Sequence, residues 1–305
     1  MLSEVFYWVL NMSITASLIG LALLLLRQVA KIPRFVIYLL WSPVLIRLLL
    51  PIGIPSRYSL MNVFSRALAK SVAVEGFSIS DVTMTNYVRA AENYFPINYK
   101  TALLEQIFRV SAVIWLVGSV LAVMLLIWSY ASNCKAVKHT LKPAEGYFLS
   151  SFSATPFVYG IIKPKIILPS DLPEVDAKHV LAHESIHIRR LDNLWRMAAL
   201  LVACVHWFNP FIWYFIKLFF NDMEFACDEK AVKMLTAEER KEYASAMLKF
   251  AVKRTSAVNS AFGGSVIHKR IEHVLSYKTM SLIASLFFAA FMVVMIVALL
   301  TNPSP

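Results

Sequence analysis

The chain has 305 residues, of which 58% are hydrophobic and only 16% charged, with a formal net charge of +11 at pH 7. Soluble domains carry about 25% charged residues, so this composition excludes an ordinary soluble protein and points to a membrane protein. Eight glycines and 13 prolines exclude a low-complexity or fibrous chain, and an odd count of three cysteines argues against a disulfide framework.

Residues 5–26 form the first long apolar stretch. A spanning helix needs about 20 apolar residues, and no small-residue cleavage site follows this one, so it is expected to remain in the bilayer. Arg27, Lys31 and Arg34 in the next turn come without an acid, which places that turn in the cytoplasm. Residues 35–54 form the second predicted span, where Arg47 is costly in lipid and must either snorkel or face a polar interior. Residues 55–109, of mixed charge, are expected as an extracellular loop, and residues 110–130 as the third span. Lys135, Lys138 and Lys142 agree with a return to the cytoplasm. This retention of Lys and Arg on one side also accounts for the net charge; no motif for direct nucleic-acid binding accompanies it.

Tyr147-Phe148-Leu149, residues 156–162 and Ile166-Ile167-Leu168-Pro169 are short β-prone runs separated by Gly and Pro, which predicts a small hairpin sheet. An exposed edge of that sheet could hold an extended peptide as an added strand, or the hairpin could be purely structural. Ser170-Asp171-Leu172-Pro173 then opens a helix that carries His183-Glu184-Ser185-Ile186-His187. Its histidines are four apart and share one helix face, so both imidazoles can reach one Zn²⁺ at about 2.0–2.1 Å. Glu184 follows the first of them directly and can take a proton from zinc-bound water, whose pKa the metal lowers to about 7.

Residues 194–220 form a fifth apolar stretch, broken at Asn209-Pro210. Each arm is too short to cross a core about 30 Å thick, which predicts a re-entrant helical hairpin returning to the same face. Residues 230–278 are charged and helical in pattern, interrupted by a flexible loop at 259–265, and residues 280–300 form the fourth span. The expected architecture is a mainly α membrane protein with both termini outside. Residues 1–130 carry three spans, 131–278 a cytoplasmic zinc domain with the hairpin and the small sheet, and 279–305 the last span and a short tail.

A catalytic zinc takes three protein ligands and keeps one position open. Downstream candidates are His206, Asp222, Glu224, Asp228 and Glu229. Glu224 and Asp228 stand one turn apart on a single face, so Glu224 could bind metal while Asp228 accepts the free N–H of a ligating histidine. His206 lies among aromatics and reads better as a packed, hydrogen-bonded side chain; the Cys227 thiol reads better as buried filler.

These blocks resemble the integral-membrane zinc peptidase domain of the BlaR/MecR antirepressors. The resemblance is carried by Pro156-Phe157-Val158-Tyr159-Gly160, by residues 164–169, by residues 183–192, by residues 207–213, by residues 224–229 and by Arg270-Ile271-Glu272. It implies a gluzincin-like domain with His183, His187 and Glu224 as zinc ligands, Glu184 as general base and Asp228 behind the ligands. It also implies a cytoplasmic active site that cuts a DNA-binding repressor, and self-cleavage in the loop before the last span, here 259–265. The β-lactam sensors of that family carry a penicillin-binding domain after the last span, whereas this sequence stops at Pro305. Antibiotic sensing is therefore not expected, and the stimulus would come from a separate sensor protein, from the bilayer or from residues 55–109. Two other functions fit the same motif: a broad-specificity quality-control zinc protease of the membrane, and a non-catalytic transducer that keeps zinc for structure. Structural zinc sites close all four positions, usually with Cys, and only Cys227 is near in sequence.

Overall fold

The computed structural model describes residues 1–28, 32–50, 55–58, 102–144, 146–151, 155–170, 172–257, 261–277, 282–300 and 302–303. The expected extracellular loop lies outside the described residues, apart from the short segment at 55–58 and the start of a helix at Ala102. The chain is mainly helical and divides into two compact units. The first comprises Met1–Val123, Leu201–Ile216 and Ser281–Pro305, and the second Met124–Leu200 and Lys217–Met280.

In the first unit, α1 (Leu2–Arg27) packs on α2 (Arg34–Leu49), and α2 packs on α9 (Leu282–Leu300). α1 and the 106–138 part of α3 (Ala102–Lys138) are each long and apolar enough to cross a membrane. α2 is shorter than the predicted span, because at Leu50 the chain turns extended. α1 buries Asn11 and Thr15 on one face and Ser13 and Ser17 on the opposite one. Asn209 meets the latter face, its amide donating to the Ser13 hydroxyl at 2.7 Å and the Ser17 hydroxyl at 2.8 Å. Arg47 faces inward too and is 2% exposed. Two residue pairs of β1 (Pro55–Ser56) and β6 (Asn302–Pro303) run parallel in this unit.

The predicted break at Asn209-Pro210 is present: α5 (Asp192–Val205) ends before it and α6 starts at Pro210. The bend is tied down by long-range bonds. The Trp115 indole donates to the Val205 carbonyl at 2.8 Å, and His206 Nε2 bonds the Leu48 carbonyl at 3.0 Å. Past the bend, however, α6 is one uninterrupted helix, Pro210–Val232. The second arm is thus not a separate short segment but the same rod that carries Glu224 and Asp228. Its polar C-terminal half continues the hydrogen-bond ladder begun by the apolar half, since nothing after Pro210 breaks it.

The second unit holds a four-stranded mixed sheet in the order β2-β3-β5-β4. β2 (Lys142–Ala144) and β3 (Tyr147–Ser150) form an antiparallel hairpin, β5 (Lys165–Pro169) pairs parallel with β3, and β4 (Phe157–Tyr159) pairs antiparallel with β5 at the edge. The sheet is thus larger than three hairpin strands, since Lys142–Ala144 carries a proline and little β-propensity of its own. Ile166 and Leu168 alternate onto the face that packs Val180 of α4 (Glu174–Arg189), which seats the histidine helix on the sheet. Val232, Tyr243, Ala244 and Val274 form a second core that binds α6 to α7 (Ala237–Ala257) and α8 (Ala261–Leu275). Residues 261–265, expected in a flexible loop, open α8 instead; only 259–260 of that loop lie outside the described residues.

Candidate metal centre

α4 presents His183 and His187 one turn apart, with their Nε2 atoms 3.1 Å from each other. α6 brings Glu224 to the same point: its Oε2 lies 3.6 Å from His183 Nε2 and its Oε1 lies 3.7 Å from His187 Nε2. Two ligand atoms on a tetrahedral zinc with bonds of 2.0–2.1 Å stand about 3.3–3.4 Å apart. The three separations bracket that value.

The outer ring nitrogens explain why the inner ones converge. His187 Nδ1 is 2.6 Å from Asp192 Oδ2, and Asp192 is fully buried. His183 Nδ1 is 2.7 Å from the Tyr243 hydroxyl, which donates to Asp228 Oδ1 at 2.8 Å. With the Nδ1 protons spent on these acceptors, both Nε2 atoms offer lone pairs to a space already faced by a carboxylate. Three acceptors around one point demand a cation, and the donor set fits zinc.

Asp228 therefore stands behind His183, as its spacing from Glu224 allows, but the tyrosine hydroxyl lies between them. Asp228 also accepts from Arg270, Nε at 2.7 Å and Nη2 at 2.8 Å, while Arg270 Nη1 sits 3.1 Å from Glu224 Oε2. Arg196 of α5 donates to the other Glu224 oxygen. Burial opposes the Glu224 charge, but Arg270, His183, His187 and Arg196 outweigh it and hold the carboxyl well below its usual range. Burial likewise lowers the pKa of His187, yet Asp192, Cys227 and Glu224 raise it to about 9. The pocket draws positive charge, as a proton or as a metal.

Glu184 is buried, 8% exposed, and has no hydrogen-bond or ion-pair partner among the described residues. Its carboxylate oxygens are not among the buried side-chain atoms left without a partner, so the group directly after His183 stays open to water. The Cys227 thiol is fully buried and donates to the His183 carbonyl at 3.5 Å. Its sulfur and the two histidines place one ligand atom each within 4.8 Å of one another. Burial raises the thiol pKa, but both imidazoles pull it below its ordinary value. Cys227 is thus more than filler, and a second candidate for the third ligand.

Asp192, Arg196, Tyr243 and Arg270 complete the cluster. Asp192 could have been found five residues after His187, just beyond the helix end, and Arg270 stands in a block that carries the family resemblance; Arg196 and Tyr243 come from separate helices with no local signal. His206 belongs to the first unit, bonded to Leu48, and is not part of the cluster. At the sheet edge, the Asn193 amide donates to the Val158 carbonyl at 3.2 Å and the Gly160 carbonyl at 2.9 Å. A peptide added as a strand along β4 would have to displace it.

Residues 7–274 match the family described as BlaR1 peptidase M56. The regulatory protein BlaR1 of Bacillus licheniformis is 37% identical over 136 residues, 42% of this chain and 23% of that protein. The methicillin resistance mecR1 proteins of Staphylococcus aureus and Staphylococcus epidermidis are each 21% identical over 304 residues, 89% of this chain and 52% of theirs. The chain spans about half, or less, of the length of these relatives.

Proposed function

The chain belongs to the BlaR1 peptidase M56 family, and from that premise we propose that it is a membrane-embedded zinc endopeptidase of the gluzincin type that cuts a cytoplasmic protein during transmembrane signalling. The regulatory and resistance roles in the relatives' names favour a transcriptional repressor as the protein cut. The observation that carries the reading is the convergence of His183 Nε2, His187 Nε2 and the Glu224 carboxylate, with an acid standing behind each ring.

His183, His187 and Glu224 would hold the ion. Zinc, when bound, supplies a Lewis acid for the scissile carbonyl and brings the pKa of water to about 7. Glu184 takes the proton of the attacking water and hands it to the leaving amine. Asp192, and Asp228 through Tyr243, keep both imidazoles in the tautomer whose Nε2 is free, and Arg270 steadies Glu224. Tyr243 and Arg270 act from behind the ligands, so neither is the donor that steadies the oxyanion.

The Cys227 thiol favours a second reading, a non-catalytic transducer. If His183, His187, Glu224 and Cys227 all ligated, no open position would remain and the site would be structural. Glu184→Gln separates the two. With the zinc-loaded full chain in detergent, hydrolysis should fall by about 10²–10⁴ while zinc content holds. Unchanged hydrolysis would remove Glu184 from the mechanism. Retention of full zinc affinity by Cys227→Ser, together with its loss in Glu224→Ala, is the result expected of an open site.

Four crossings by α1, α2, α3 and α9 would put both termini outside and the metal centre in the cytoplasm, the side to which Arg27, Arg34, Lys135, Lys138 and Lys142 are assigned by charge. A separate sensor protein could then reach the chain from outside or within the bilayer.

A further inference from the structure

The first turn of α5 is polarised the wrong way round for a helix in water. Its polar side chains turn inward: Asp192 is fully buried against His187, Asn193 reaches the Val158 and Gly160 carbonyls, and Arg196 donates to Glu224. Leu191 opens the turn, its carbonyl accepting from the Leu194 and Trp195 amides. These three share one face, at i, i+3 and i+4, and are 55%, 49% and 37% exposed. A surface helix of a soluble domain shows its polar residues to solvent and its apolar ones to the core. Here the order is reversed, so the medium this turn meets is apolar.

Asn193 also fixes what lies alongside. By holding Gly160 it sets the turn between β4 and β5 against this corner, and Ile162 in that turn is 92% exposed. Lys163 follows it, and Arg189 comes just before the corner; both are exposed, and neither has an ion-pair partner among the described residues. The one acid in residues 155–165 and 185–201 is Asp192, already spent on His187. An apolar tip flanked by cations, with no acid facing outward, is complementary to an anionic lipid surface. Aliphatic side chains enter the acyl boundary there, an indole sits at headgroup level, and phosphates draw Lys and Arg. A second copy of this chain would bring the same cations against themselves. Beyond Trp195, moreover, α5 runs on through apolar residues to Val205.

We propose that the α4–α5 corner and the β4–β5 turn form a docking face for anionic phospholipid. Ile162, Leu191, Leu194 and Trp195 enter the headgroup boundary, while Lys163 and Arg189 bind lipid phosphates. Leu191 is four residues from His187, so a docked corner holds the metal centre at the membrane surface. The face goes beyond the peptidase reading and stands whether or not the chain cuts peptides.

The test uses the full chain in nanodiscs, with Cys134→Ser and a nitrobenzoxadiazole probe on Ile162→Cys; Cys204 and Cys227 are buried. In discs containing phosphatidylglycerol, the probe should shift to the blue and be quenched by lipids carrying a nitroxide near the headgroup. A probe on Glu238→Cys, an exposed position at the start of α7, should do neither. Discs of phosphatidylcholine alone should lose most of the quenching. So should Lys163→Gln with Arg189→Gln in the anionic discs, at unchanged zinc content. Salt at 1 M, which shortens the Debye length to about 3 Å, should weaken it as well.

No quenching in anionic discs, or equal quenching with and without the two cations, overturns the proposal. A blue shift without quenching by lipid also overturns it and gives the face to a protein partner. A probe on Val120→Cys, exposed on α3, separates this face from the membrane assignment. Quenching there but not at position 162 removes the docking face and leaves the span; quenching at neither removes both. None of these readings needs turnover, so failure of the peptidase reading leaves them unchanged.

Discussion

Asp192 sits fully buried, 2.6 Å from His187 Nδ1, and a second charge, Arg190 Nε, lies 3.3 Å from its other oxygen. An acid in that place sets the tautomer and raises the basicity of the nitrogen on the far side of the ring. Asp192→Asn should weaken zinc binding by about 10–100-fold, measured by competition with a chromophoric chelator. The same acid, with Cys227 and Glu224, lifts the His187 pKa from 6.5 to about 9 against the lowering effect of burial. A histidine raised on folding contributes stability that is fully present below its unfolded pKa and is lost as pH rises through its folded one. The metal-free protein should therefore lose thermal stability between about pH 6.5 and 9. The zinc-loaded protein should not, because neutral rings hold the ion. Melting curves of both forms across that range check the sign.

At the level of elements, the turn between α4 and α5 is the feature that most directly shapes the centre. Leu191 adopts a φ of 57°, a left-handed conformation that a bulky residue takes at a cost. That reversal carries the chain from His187 straight to Asp192 and back within bonding range, so the strain is coupled to the tautomer lock. In the first unit the close approach is made by glycine. A Cβ at Gly118 of α3 would stand 2.5 Å from Trp207 Cε2, and one at Gly20 of α1 would run into the Phe215 ring. Gly118→Ala should displace the Trp207 indole, whose N–H donates to the Trp115 carbonyl at 3.3 Å. The expected loss is about 1–3 kcal/mol, read from thermal unfolding in detergent.

For the molecule as a whole, α3 exposes an apolar face that includes Val113, Val117, Val120 and Leu121. Such a face is normal against lipid and a liability in water. The four-crossing topology proposed above would place Arg57 outside and Lys142 in the cytoplasm. In a chain with its own cysteines replaced by alanine, Arg57→Cys should react with a membrane-impermeant maleimide in intact cells. Lys142→Cys should react only after lysis, and labelling of both from outside would refute the topology.

Much of this protein is legible from local pattern. The apolar runs became helices, Asn209-Pro210 marked the bend, and two faces of period 3.6 announced that His183 with His187, and Glu224 with Asp228, would each point one way. Both pairs are properties of a single helix, so the sequence suffices for them. Tertiary structure alone decided that the two faces meet, because convergence depends on how α4, α6, α7 and α8 pack around the cores at Val180 and Val274. It alone supplied Tyr243 and Arg270 as links between ligand and acid, the Cys227 thiol beside both rings, and the Asn193 amide across the sheet edge. It alone also carried α6 past the bend without interruption and turned residues 261–265 into helix. Contacts between residues tens of positions apart leave no periodic trace, since each side chain's own stretch reads the same whether or not its partner arrives.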